Sequence, residues 1–245
     1  MLIPSNSELI SVWERGAREH PIDRALTLLS ACSGQTREDL ARLSIGARDA
    51  RLLQAYEHIF GPDLAAFAQC PACQEPMEYK LSADEMLASM APGDASALTF
   101  QDGDLNLRLR LPDSLDLRAA SASADPELAA KLLAQRCIVE ATAGQQTLPH
   151  AGLPARISEA ISCAVAAADP GAEILINLSC AVCSHAWQVT FDIERFLWAR
   201  ISVAARRLLR DVHALALAYG WSEPAILALT AVRRQYYLEM AWPTS

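Results

Sequence analysis

The sequence predicts an α+β protein, mostly helical, with a zinc ribbon built from two distant Cys-x-x-Cys knuckles and a small antiparallel β element. Three observations lead there. Alanine and leucine abound while aromatic residues make up only 6% of the chain, a mix that favours helices over an all-β sandwich. Apolar residues recur at helical spacing through residues 1–62 and again from Asp192 onward. The arrangement strand, Cys-x-x-Cys, strand occurs twice, at Cys70 and Cys73 and at Cys180 and Cys183.

In chain order, Ser5 or Ser7 can cap a helix through "SELISVWERGAREH", with Leu9, Val12 and Trp13 on one face, and Pro21 ends that run. The next helix, "PIDRALTLLSAC", begins with proline in its first turn, where the missing N–H costs nothing. "REDLARLSIGARDARLLQAYEHIFGP" reads as a short helix, a cap near Ser44 and a longer helix stopped by Gly61-Pro62. Residues 1–62 thus form a helical block.

After the first cysteine pair, "MEYKLS" alternates as a strand does. "LTFQDGDLNLRLRLP" reads as a hairpin around an Asp-Gly turn, with Leu105, Leu107, Leu109 and Leu111 on one face. "ASMAPGDASA" and "RAASASADPE" have the composition of loops. Two helices follow, "PELAAKLLAQRCIVE" and "PARISEAISCAVAAAD", the second closed by Pro170-Gly171. "AEILINLSCAVCSHAWQVTFDI" is a strand, the second cysteine pair and a strand. Asp192 then opens the longest periodic segment, with Ile193, Phe196, Leu197, Ile201, Leu208, Val212, Leu215 and Tyr219 at helical spacing and Gly220 as its stop. Helices at "SEPAILAL" and "AVRRQYYLEMA" complete the chain. The organisation expected is a helical block at 1–62, a split zinc ribbon of 63–81 plus 173–191, a hairpin and helical insertion at 82–172, and a long helix with a helical tail at 192–245.

The cysteines carry the chemistry. A knuckle aims both sulfurs of its turn at one point, and two facing knuckles complete a tetrahedral four-thiolate zinc site, so Cys70, Cys73, Cys180 and Cys183 supply a full set. More than a hundred residues separate the pairs. Each doubling of a loop costs only about 0.6 kcal/mol, so the separation subtracts about 2 kcal/mol from a zinc contribution on the order of 10 kcal/mol. A thioredoxin-like dithiol and metal-free core thiols are the competing readings. The first wants the motif at a helix N-terminus, where this chain instead places Pro76 and an alternating segment. His185, two residues after Cys183, is a further ligand or supporting donor. Cys32, Cys137 and Cys163 each stand alone in apolar helical context and read as buried free thiols.

Four sulfurs close the coordination shell, whereas a catalytic zinc keeps an open position. Gly-x-Ser-x-Gly, a phosphate-binding glycine loop and His-Glu-x-x-His are also absent. The expectation is a structural zinc and no enzyme. The formal net charge of -8 gives the whole chain no general hold on nucleic acid phosphates. Arg195, Arg200, Arg206, Arg207 and Arg210 along the long helix nevertheless keep a nucleic-acid-binding zinc-ribbon regulator as the alternative function. Trp221, Tyr236, Tyr237 and Trp242 are candidate partner-binding anchors, because aromatic side chains dominate protein interfaces. No apolar stretch reaches a membrane-spanning length, no secretory leader opens the sequence, and Cys-x-x-Cys pairs suit a reducing compartment, so a cytoplasmic protein is expected.

Three stretches carry a family likeness: "ISVWERGAREHPIDRALTLLSAC", "LSIGARDARLLQAYEHIFGPDLAAFAQCPAC", and "CSHAWQVTFDIERFLWARISVAARRLLRDVHALALAYGWSEPAILALTAVRRQYYLEM". They resemble the zinc-ribbon proteins encoded with contractile phage tails and contractile injection systems, described as baseplate proteins or baseplate hub assembly chaperones. The likeness covers residues 9–81 and 174–240 and is weak over 84–172. The family's paired knuckles fall on Cys70, Cys73, Cys180 and Cys183, while Gln74 stands where a glycine is common. The resemblance implies an assembly factor that binds a baseplate or hub protein, holds a structural zinc and performs no catalysis.

Overall fold

The computed structural model describes residues 2–91, 98–144, 146–149 and 155–242. Four helices come first: α1 Asn6–Gly16, α2 Pro21–Ser33, α3 Arg37–Ala41 and α4 Ile45–Phe60. Then follow β1 Asp63–Gln69, β2 Pro76–Ser82, α5 Ala83–Ser89, β3 Thr99–Asp102 and β4 Leu105–Leu109. The middle continues with α6 Ser114–Ala120, α7 Pro126–Cys137, β5 Ile138–Ala143, β6 Gln146–Thr147 and α8 Ala155–Ala168. After a 3-10 turn at Pro170–Ala172 come β7 Leu175–Ser179, β8 Ala186–Thr190, α9 Ile193–Tyr219, α10 Glu223–Leu227 and α11 Ala231–Ala241. The class is α+β, as expected: helices with, among the described residues, three small antiparallel sheets, β1-β2, β3-β4-β5-β6 and β7-β8.

The chain divides into two compact units, Met1–Gly34 with Glu194–Ser245, and Gln35–Ile193. The helices of residues 1–62 are shared between them, α1 and α2 in the first and α3 and α4 in the second. In the first unit a capping box starts α1: Ser5 Oγ accepts from the Glu8 N–H and Glu8 Oε2 accepts from the Ser5 N–H. Asn6 Nδ2 donates to the Leu227 carbonyl at 2.8 Å, and Ile10, Leu208 and Leu227 bury together. Arg24 lies over the Trp198 ring at 4.6 Å and pairs with the buried Glu194, which sits in the first turn of α9 where the helix dipole favours an anion. Arg234 of α11 pairs with Asp211 of α9 at 2.9 Å, so α11 is held to α9 by a nearly buried ion pair.

In the second unit, the Asp-Gly hairpin is β3-β4, turning at Gly103 with φ 60°, and Leu107 and Leu109 face a core with Ala134, Cys137, Ile138, Ile157 and Ile161. That hairpin is half of a larger sheet. The "PELAAKLLAQRCIVE" helix stops at Cys137, and β-branched Ile138 and Val139 begin β5, which pairs with β4 in register Leu107↔Ala141. Two segments read as loops are entered at their first residues by short helices. α6 is nucleated by a second capping box, Asp113 with Asp116, and α5 follows β2 directly, overlapping the first residues of "ASMAPGDASA". Positions 92–97 of that stretch, and Pro154 at the expected start of the next helix, lie outside the described residues.

Packing at one point sets where the second cysteine hairpin starts. Asp169, buried at the end of α8, accepts from the Gly46 N–H at 2.9 Å in the first turn of α4, beside the Ser44 cap. A Cβ on Gly46 would fall 2.0 Å from Asp169 Oδ1, and one on Gly171 would fall 3.1 Å from the Gly46 Cα and 3.2 Å from Met90. Two backbones without side chains therefore touch, and β7 begins four residues after Gly171. Gly46→Ala is expected to destabilise the protein by about 2 kcal/mol or more, read as a lower thermal midpoint by circular dichroism. An unchanged midpoint would show that this close approach carries no weight.

Asp116, fully buried in α6, joins three elements: Arg110 beyond β4 bonds it at 2.5 and 2.9 Å, and Arg136 of α7 at 2.7 Å. Burial alone would raise its pKa, but the Arg110 guanidinium, the Asp113 N–H and Arg136 together hold it below the ordinary carboxylate value. A depressed native pKa means stability that is complete above the unfolded value, near 3.9, and lost as pH falls through the native one. Asp116→Asn should cost about 2 kcal/mol at neutral pH, with the gap to wild type closing below about pH 4. Equal midpoints at pH 7 would contradict this.

Candidate metal centre

Each knuckle is a turn at the tip of a two-stranded hairpin, and the two are built alike. β1 pairs with β2 from Asp63↔Ser82 to Gln69↔Pro76, and β7 with β8 from Leu175↔Thr190 to Ser179↔Ala186. In the first turn the Gln74 N–H donates to the Cys70 carbonyl at 2.9 Å and the Cys70 N–H to the Glu75 carbonyl at 3.0 Å. The second turn repeats both bonds, from Ser184 to Cys180 at 2.9 Å and from Cys180 to His185 at 2.9 Å. The closing residues, Gln74 and Ser184, are left-handed at φ 62° and 59°, a conformation that costs a side-chain-bearing residue about 1 kcal/mol. Gln74 takes the position a glycine would fill freely. Its turn is held instead by Gln74 Nε2 donating to the Pro71 carbonyl at 3.2 Å and Gln69 Nε2 donating to the Gln74 carbonyl at 2.9 Å.

The two turns meet. All four sulfurs lie within 4.8 Å of one another, with Cys70 Sγ 3.6 Å from Cys183 Sγ and Cys73 Sγ 3.6 Å from Cys180 Sγ. Each contact joins the first cysteine of one knuckle to the second of the other, so the pattern has internal two-fold character. A tetrahedral ion with metal–sulfur bonds of about 2.3 Å has sulfur–sulfur edges of about 3.8 Å, and the donor set fits that size. None of the four is in a disulfide. Cys70 and Cys180 are buried, while Cys73 and Cys183 face outward.

Backbone N–H groups donate to three of these sulfurs, and only at Cys180 do they prevail. The Cys183 and Val182 N–H groups, donating to Cys180 Sγ, hold that thiol down to about 7. The Glu75 N–H acts on Cys73 in the same sense, but neighbouring thiols, Cys183 first, outweigh it and push Cys73 up to about 12. The set resists full ionisation on its own, and a dication held there would reverse that balance.

His185 contributes its backbone to the turn, its carbonyl to Cys180 and its N–H to the Cys183 sulfur, and its ring stacks on Trp187 at 6.1 Å. Its imidazole is not in the donor cluster. Cys32 and Cys137 are buried free thiols as expected; Cys163 is exposed on α8, because its position faces away from the stripe that carries Ile157 and Ile161. The aromatic set divides. Trp221 and Tyr237 pack with Tyr219, at 4.8 Å between Trp221 and Tyr237 and 4.7 Å between Tyr219 and Trp221, whereas Tyr236 and Trp242 are 64% and 51% exposed. No described helix is long and apolar enough to cross a membrane.

In metal-loaded native protein, a thiol reagent is expected to label Cys163 rapidly. Chelation should add Cys70, Cys73, Cys180 and Cys183, while Cys32 and Cys137 wait for unfolding. Labelling of the four knuckle thiols at the same rate with and without chelator would contradict a shared ion.

Comparison with curated proteins and with solved structures finds no match. The sequence model described as T4 bacteriophage base plate protein does match, over residues 8–198, a span that contains both knuckles and the middle segment between them. The chain belongs to the T4 bacteriophage base plate protein family.

Proposed function

We propose that this baseplate-family chain is a non-enzymatic, protein-binding assembly factor. It engages a baseplate or hub protein, in a chaperone-like role, while a contractile tail or injection system is built in the cytoplasm. Cys70, Cys73, Cys180 and Cys183 hold one structural Zn2+. The observation that carries this reading is the closed donor set: four sulfurs within 4.8 Å leave no open coordination position for a substrate or water. A tetrahedral all-sulfur site suits zinc, with iron the other ion of that preference. Exposed Tyr236 and Trp242, next to a packed aromatic cluster, supply rigid anchors of the kind protein interfaces use.

The test is co-expression of the tagged chain with the structural proteins of its own baseplate, followed by isolation and metal analysis. One baseplate or hub component is expected to co-purify, with one zinc per chain, and chelation is expected to release the partner together with a loss of thermal stability. A metal-depleted chain that keeps both its melting temperature and its partner would overturn the structural role of zinc. A zinc-loaded chain that captures no baseplate component would overturn the assembly role.

A further inference from the structure

The outward face of α9 carries a feature the fold does not use. Ala199, Val203, Arg206, Arg210, His213 and Leu217 are all exposed and recur at alternating spacings of four and three, opposite the buried Leu197, Ile201, Ala205, Leu208 and Leu215. That spacing is the seam of a two-helix coiled coil, and at 1.5 Å per residue it runs about 27 Å. Its ends are apolar, Val203 at 65% and Leu217 at 71% exposure, and its centre is cationic. Arg206, Arg207 and Arg210 have no carboxylate within ion-pairing distance among the described residues. The seam also lies beyond residue 198, outside the span the family model matches.

We infer that this seam is the docking surface for an acidic amphipathic helix of another protein, one with carboxylates at its centre and apolar residues towards its ends. The inference rests on the protein-binding reading above and names its surface and the chemistry of its partner. Charge selects the occupant. A second copy laid antiparallel on the same face would set Arg206 against Arg210, a like-charge contact that opposes pairing. A polyanion such as DNA would meet exposed Val203 and Leu217 on the same line, neither able to hydrogen-bond a phosphate, on a chain whose net charge is -8. A helix with glutamates facing Arg206 and Arg210, and leucines facing Val203 and Leu217, satisfies both parts of the seam.

The experiment uses the full zinc-loaded chain and three probes: a synthetic helical peptide with glutamates at the central seam positions and leucines at the ends, the same peptide with lysines for glutamates, and a short DNA duplex. Wild type is expected to bind the glutamate peptide, more weakly as salt rises. The Arg206→Glu/Arg210→Glu variant should bind it about tenfold or more weakly, as two attractive pairs become repulsive, and should gain affinity for the lysine peptide. The far-ultraviolet spectrum and melting of the variant should be unchanged. Equal binding of the glutamate peptide by both proteins would overturn the inference, as would tighter binding of the duplex or a wild-type dimer that the variant loses. A variant that still captures the baseplate component would overturn this surface and leave the assembly role standing.

Discussion

Four sulfurs drawn from two turns, with Cys73 and Cys180 107 positions apart, lie within 4.8 Å of one another. Two-stranded hairpins such as β1-β2 and β7-β8 are marginal in water by themselves. Each here is a sheet of its own, with one face exposed along most of its length. The shared ion proposed above would contribute on the order of 10 kcal/mol towards holding such a pair. Thiols this close work against one another's ionisation, and at Cys73 the neighbouring sulfurs, Cys183 first, push the pKa up.

The surrounding structure is arranged to present the hairpins at their roots. Gly46 and Gly171 allow α4 to lie directly on the segment from Asp169 to Ala172, and the Asp169 carboxylate satisfies an amide at the α4 N-terminus that would otherwise be buried unpaired. Met90, at the end of α5, packs on Gly171. The helix that follows the first hairpin thus touches the turn that launches the second. The long insertion between the knuckles builds its own core around β4, β5, α7 and α8, tied by the Asp116 carboxylate and its two arginines. A self-contained insertion explains how so long a loop can close the site at so small an entropic cost.

The knuckles were legible because their information is local: cysteine spacing, a tight turn and alternating flanks all fall within a few residues. Helices α1, α2, α4 and α9 were legible for a similar reason, since each is long, periodic and marked at an end: Ser5 and Ser44 as caps, Pro21 in the first turn, Gly220 as the stop. α5 and α6 were not, because helices of seven residues show no full period; only the Asp113–Asp116 capping box could have revealed α6. The passage from α7 to β5 was hidden because no turn residue separates Cys137 from Ile138, and the only signal is the β-branched pair at Ile138 and Val139. The convergence of the four sulfurs could be expected from chemistry but not read, since it depends on contacts such as Gly46 to Asp169 across more than a hundred residues. Of the two crossings between the units, the one between Ile193 and Glu194 leaves no compositional mark because it falls inside a helix, whereas the other follows Gly34, the left-handed stop of α2.

In the proposed reading, a baseplate-family chain whose four clustered cysteines hold an ion directs that chemistry inward, towards its own shape, and recognises its partner through helices elsewhere in the chain. That division is why arginines and aromatics outside the ribbon carry the partner-binding reading. The most direct measurement is X-ray absorption at the zinc edge on protein purified without added metal. The account predicts one zinc surrounded by four sulfurs at about 2.3 Å. A shell containing nitrogen or oxygen donors, or a protein whose cysteines are bridged within each pair and hold no metal, would contradict it.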